Sequence, residues 1–245
     1  MDYEYLPGII KAKARSGFHQ QWGVAILVTL FGLLFSVPNQ IISIMGNVTE
    51  KPVEFASVLG KNLVDNIVKF YNKNYMVLLI VSVAISLFLV IIKYGECKLY
   101  VDIVEKKDAG FSTIFDGLLY PIKAVVTNIY IVVLVILWTM LFIIPGLVAA
   151  IKYSMTSYII AEDPDIPITD AVDMSKNMMN GHKLDYVMLI FSFVPWILVI
   201  MLTFGLATVY VTPYLNASCA QFYVMVRDEY NAANGSEIKD NDFMK

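Results

Sequence analysis

The sequence predicts an all-α membrane protein. It reads as six transmembrane helices arranged as three parallel hairpins, each preceded by a cytoplasmic amphipathic interfacial helix. Three observations carry that reading. Of the 245 residues, 58% are hydrophobic and only 16% charged, with a mean hydropathy of +0.66, whereas a soluble domain carries about 25% charge. Apolar runs long enough to cross a bilayer, roughly 20 residues each, recur along the chain. An amphipathic stretch followed by a glycine precedes such a run three times, beginning near Leu6, Phe111 and Ile168 and breaking at Gly17, Gly117 and Gly181.

The first run, 22–45, follows Lys11, Lys13 and Arg15. It is too long for a signal-peptide core and lacks a small-residue cleavage site, so it reads as a span that stays. A loop at 46–74 follows, in which Phe55 to Tyr71 has helical apolar spacing. The second span is expected at 76–101. The third and fourth, 123–144 and 146–162, are separated only by Pro145-Gly146, and the fifth and sixth, 184–203 and 205–226, only by Phe204-Gly205. Proline ends a helix and glycine permits a tight reversal. One helix over 123–162 would be about 60 Å long, twice the hydrocarbon thickness, so two spans are preferred. Residues 231–245 read as a disordered cytoplasmic tail.

The amphipathic stretches rest on spacing. Phe111, Ile114, Phe115, Leu118, Leu119 and Ile122 follow the helical series, as do Ile168, Ala171, Val172, Ser175 and Met178, with Thr169 as the N-cap. Such helices lie in the interface with the apolar face down. The loop 46–74 holds four lysines, while the opposite side holds twelve lysines and arginines. That asymmetry puts both termini in the cytoplasm, in the plasma membrane. An internal repeat is suggested by Ile92-Lys93-Tyr94, Ile151-Lys152-Tyr153 and Thr212-Pro213-Tyr214.

Polar residues concentrate in the even-numbered spans, where they face the bundle interior or a wet cavity. Lys152 is the leading ligand-binding candidate. It lies six residues inside Gly146, about 9 Å deep, and no acidic residue lies within one turn of it. It either snorkels to the surface or meets an anionic headgroup or carboxylate, assisted by Tyr153 or Tyr210. Tyr214 holds the corresponding place in the third repeat. Lys93 and Glu96, three apart, either pair locally or line the same centre. Cys97 and Cys219 read as reduced, structural thiols. His19 and His182 form no triad with any neighbour. No catalytic residue, metal site or cofactor is expected, and the net charge of −3 gives no reason to expect nucleic acid.

The strings Tyr153-Ser154-Met155-Thr156, Ala171, Ser175, Met178-Met179, Gly181, Lys183 and Thr212-Pro213-Tyr214, together with Ala14, Trp22 and Ala25, resemble a bacterial membrane family catalogued as domain of unknown function 975. The family is widespread in Gram-positive bacteria. It is distantly similar to the membrane domain of some glycerophosphodiester phosphodiesterases, although this chain carries no phosphodiesterase catalytic domain. The resemblance implies a membrane location and hints at lipids, and it transfers no catalytic residue. The expected function is non-enzymatic handling or sensing of a lipid or membrane-active amphiphile. The alternatives are a small-solute transporter using the polar centre, or an accessory subunit of a membrane complex. The expected partners are accordingly membrane lipids, an amphiphilic or anionic ligand and a membrane protein.

Overall fold

Proline at the first or second position starts four of the described helices, because its fixed φ suits the helix and its missing N–H is not needed there. In the computed structural model, which describes residues 5–18 and 21–234, these are α1 (Pro7–Phe18), α3 (Pro52–Leu59), α5 (Pro121–Leu141) and α10 (Val194–Leu202). The others are α2 (Trp22–Glu50), α4 (Lys61–Val104), α6 (Ile143–Lys152), α7 (Thr156–Glu162), α8 (Ile168–Met178), α9 (Lys183–Phe191) and α11 (Thr208–Asn234). A 3-10 helix, Phe111–Leu119, precedes α5. The fold is all-α, with no strand among the described residues. His19 and the segment 235–245 lie outside the described residues.

The chain forms two compact units. One is built from residues 30–90, the later part of α2, α3 and the first part of α4. Its helices meet through Phe35 and Phe88, whose rings are 5.2 Å apart, and through Asn39 Nδ2, which donates to Ser86 Oγ at 3.2 Å. Val48 and Val64 are buried here, while α3 buries none of its residues. Gly60, in the left-handed region at φ +86°, separates α3 from α4, so the helical stretch expected over 55–71 is divided.

The other unit holds the remaining residues, and α11 is at its centre. Ala217, Ser218, Ala220, Phe222 and Tyr223 of α11 are fully buried. Ile10 and Ala14 of α1 are fully buried as well, and α1 packs against α11. α8 buries Ala171, Val172, Ser175 and Met178, and the Ser175 hydroxyl donates to the Lys152 carbonyl at 2.8 Å, where α6 ends.

Among the described residues five segments, not six, are long and apolar enough to cross a membrane: Trp22–Glu50, Lys61–Val104, Pro121–Leu141, Ile143–Glu162 and Lys183–Leu202. The expected sixth span corresponds to α11, which is not among them. The six-span reading with three parallel hairpins is corrected accordingly. The physical reason is burial. Thr212, Asn216, Ser218 and Gln221 interrupt α11, and a helix lined by protein need not be apolar. Ser218 satisfies its hydroxyl on the Tyr214 carbonyl at 2.8 Å.

The segments expected as interfacial helices also turn apolar residues into protein, as α1 and α8 show. Thr169 is not the N-cap of α8. Pro167 holds that position, and the Thr169 hydroxyl meets Asp170 instead. Of the three expected stop glycines, only Gly181 has a positive φ, at +101°. Gly17 lies inside α1, where an added Cβ would come 2.7 Å from the Ile103 carbonyl oxygen. The break between the third and fourth spans falls at Phe142, extended at φ −161° and ψ 151°, rather than at Pro145-Gly146, which sit in the first turns of α6. Phe204 and Gly205 do form a turn, both with positive φ.

Candidate functional site

Two glycines seat one element directly on another. An added Cβ at Gly95 of α4 would lie 2.0 Å from the Ile114 carbonyl oxygen, and one at Gly117 would lie 2.1 Å from the Ile91 carbonyl oxygen. Only hydrogen at both positions lets the 3-10 helix lie on the backbone of α4. Ile114, fully buried, anchors the contact.

That seating creates a cavity of about 340 Å³. Tyr94 and Lys98, one turn apart on α4, form one wall. Ser112, Thr113 and Asp116 of the 3-10 helix face them, and the lining continues through Leu119, Tyr120, Ala124, Ile160 and Pro164. Lys98 Nζ meets Asp116 Oδ2 at 2.7 Å, with side chains 29% and 37% exposed. They are the only charged residues in the lining. Tyr94 is buried, and its hydroxyl lies by Ser157 and Thr127 without reaching hydrogen-bond geometry.

An apolar groove of about 570 Å³ adjoins the cavity, sharing Leu119 and Tyr120 with it. Ile122, Val126, Pro167 and Ile168 line it, and Lys123 is its one charged residue. Lys123 is committed to structure: its ammonium donates to the carbonyls of Pro164 and Ile166, tying the loop after α7 to α5.

Two further polar clusters stiffen this unit. Arg227 of α11 forms ion pairs with Glu162, at the end of α7, and Glu105, just past α4. Tyr223 donates to Glu162 at 2.6 Å. Burial works against the charge on Arg227, but the two carboxylates outweigh it and raise its pKa further. On α1, Lys11 donates to the Ser192 carbonyl at 2.9 Å, with its ammonium 3.8 Å from the Phe193 ring centre. Pro195 has no N–H and Trp196 bonds to Phe193 instead, so a lysine supplies the donor at this break. Burial lowers the Lys11 pKa.

The six residues proposed from the sequence fall into three groups. Lys152 and Tyr153 line a pocket of about 280 Å³ beside Trp138 and Pro145. Lys93 pairs with Glu96 at 3.3 Å. Tyr210 and Tyr214 belong to an aromatic cluster in which Tyr210 lies 4.8 Å from Trp22 and 5.9 Å from Trp196, while Arg15 donates to the Tyr214 hydroxyl at 3.4 Å. None of the six lines the Lys98 cavity. Sequence reasoning placed Lys98 only in the charge count and did not single out Asp116. The available signal was an opposite-charge pair beside two glycines, Gly95 and Gly117, in otherwise apolar surroundings.

Residues 56–230 match the family described as protein of unknown function DUF975. The chain belongs to that family. No curated protein and no solved structure matches it. The stretch of this DUF975 chain that matches contains every residue of the Lys98 cavity, the adjoining groove and the Arg227 cluster. Among the described residues no group of three or more His, Cys, Asp or Glu side chains could hold a metal ion. Cys97 and Cys219 are buried and unpaired with each other. The molecule is an α-helical multi-span membrane protein.

Proposed function

We propose that this protein binds a membrane amphiphile in the Lys98 cavity and handles or senses it without covalent chemistry. One observation carries the reading. A polar cavity with a single ion pair shares Leu119 and Tyr120 with an apolar groove. The groove opens where Leu119 and Ile122 are 66% and 78% exposed. Apolar surface of that kind on a multi-span protein suits lipid contact. A headgroup fits the first space and an acyl chain the second.

The accompanying location is the plasma membrane, with both termini cytoplasmic. Two observations support it. The lysine and arginine asymmetry favours that side. Tyr5 donates to Glu229, so the two ends of the described chain meet. Transport through a polar centre draws less support, because the half-buried ring of Tyr158 stacks on the fully buried ring of Tyr223 at 5.1 Å, so these two polar residues are packed on each other.

The test fills the cavity from its rim. Ser112 is exposed, so Ser112→Trp is compatible with folding. Native mass spectrometry of the gently extracted protein is expected to show several-fold less retained lipid in the variant, at unchanged thermal stability. Equal lipid retention by both proteins would overturn the reading.

A further inference from the structure

We infer that the pocket at Lys152 is a second lipid site, which takes the anionic headgroup of a membrane phospholipid. It shares no lining residue with the Lys98 cavity or the adjoining groove, so the inference stands whatever those spaces hold. Three side chains in its lining donate hydrogen bonds: the Trp138 indole, the Lys152 ammonium and the Tyr153 hydroxyl. The rest of the lining is aliphatic, and no carboxylate reaches it. Among the described residues no acceptor engages the Lys152 ammonium; only the backbone carbonyl of that residue is bonded.

Other lysines of this unit spend their charge on the backbone. Lys11 donates to the Ser192 carbonyl, and Lys123 to those of Pro164 and Ile166. At the end of α6 that role is already filled. Ala149 accepts the Tyr153 N–H, Ile151 accepts the Ser154 hydroxyl, and Lys152 accepts the Ser175 hydroxyl. The Lys152 ammonium is therefore left over within a segment, Ile143–Glu162, that is long and apolar enough to span a membrane. A charge there is costly unless something pairs with it.

Position selects the ligand class. Lys152 ends the ten residues of α6, about 14 Å from its start. A helical side chain leans back toward the helix start, which carries the ammonium over Val148 and toward Ile144. Ile144 is 74% exposed, so the pocket opens on surface suited to acyl chains. Trp138 at its side is the residue type that anchors at headgroup level. An anionic headgroup supplies the partner that Lys152 lacks. A zwitterionic one also brings a cation, for which the lining holds no carboxylate. At about 30 Å³ per water-sized group, about 280 Å³ holds some nine such groups, room for a phosphate and its glycerol.

The test makes Trp138 the reporter. With Trp22→Phe and Trp196→Phe the full-length protein keeps one tryptophan, which brominated acyl chains quench on contact. Phosphatidylcholine vesicles containing brominated phosphatidylglycerol, or the same amount of brominated phosphatidylcholine, give the relative affinity for the two lipids. Phosphatidylglycerol is expected to bind at least threefold more tightly. Lys152→Met should bring that ratio to about one, and Lys152→Arg should keep it. Val148→Phe fills the pocket without touching the charge and should lower the ratio as well, so a folding defect in Lys152→Met does not end the test. A ratio near one in the reporter protein, or one that survives both Lys152→Met and Val148→Phe, would overturn the site. Inorganic phosphate at equal concentration should not relieve the quenching, and full relief would replace the lipid with a free anion. Ser112→Phe, in the Lys98 cavity, should leave the ratio unchanged. Loss of the preference there would move it to that cavity and remove the second site.

Discussion

A methyl group at position 95 has nowhere to go, since its nearest neighbour would be the Ile114 backbone at 2.0 Å. Backbone cannot step aside as a flexible side chain can. Gly95→Ala therefore either lifts the 3-10 helix off α4 or strains both, at a cost of about 1–3 kcal/mol or more. Gly23 of α2 offers the control, because nothing lies within 4 Å of its Cβ direction. There alanine should be neutral or stabilise by about 0.5–1 kcal/mol through helix propensity. Thermal unfolding of the two detergent-solubilised variants should separate them in opposite directions, and a common shift would show that the close approach is not limiting. The same contact explains why the Lys98–Asp116 pair escaped the sequence. The two residues are eighteen apart, and their meeting depends on where two backbones touch, which no periodicity encodes.

Helix α11 shows how far hydropathy reads a membrane protein and where it stops. The first five spans were legible because their exposed faces must be apolar. Leu34, Leu137 and Leu198, for instance, are all more than half exposed. The sixth was misread because its length and its partly apolar sequence matched a span, while its polar residues carried the real message. Hydropathy counts side chains without knowing whether lipid or protein surrounds them. Lys152, Lys93 and Tyr210, which the sequence expected at one polar centre, have different neighbours, Trp138 and Pro145, Glu96, and Trp22 and Trp196 respectively, and shared depth along helices does not imply a shared face. If α11 is packed on all sides, Ala220→Leu, at a fully buried position, should cost about 1–3 kcal/mol. A lipid-facing alanine would tolerate the same change. Midpoints of denaturant unfolding in mixed micelles should fall for Ala220→Leu, and an unchanged midpoint would mean that lipid, not protein, lies against Ala220.

For the molecule as a whole, sidedness is the first quantity to measure. Single cysteines at Lys61 and at Arg15 make the comparison, and the native thiols give little background because Cys97 and Cys219 are 3% and 8% exposed. A membrane-impermeant maleimide on intact cells is expected to label position 61 and spare position 15. The reverse pattern would turn the protein over in the membrane. The meeting of Tyr5 with Glu229 has a consequence of another kind. The two residues are 224 positions apart, and translation at about 5–20 residues per second separates their emergence by roughly 10–45 s. For that interval α1 exists without α11, the partner that finally covers Ile10 and Ala14. The nascent chain thus carries a cationic, half-apolar segment uncovered until α11 is made. Truncation before α11 leaves Ile10 and Ala14 without that cover, and such a product should be cleared by the cell's quality-control proteases.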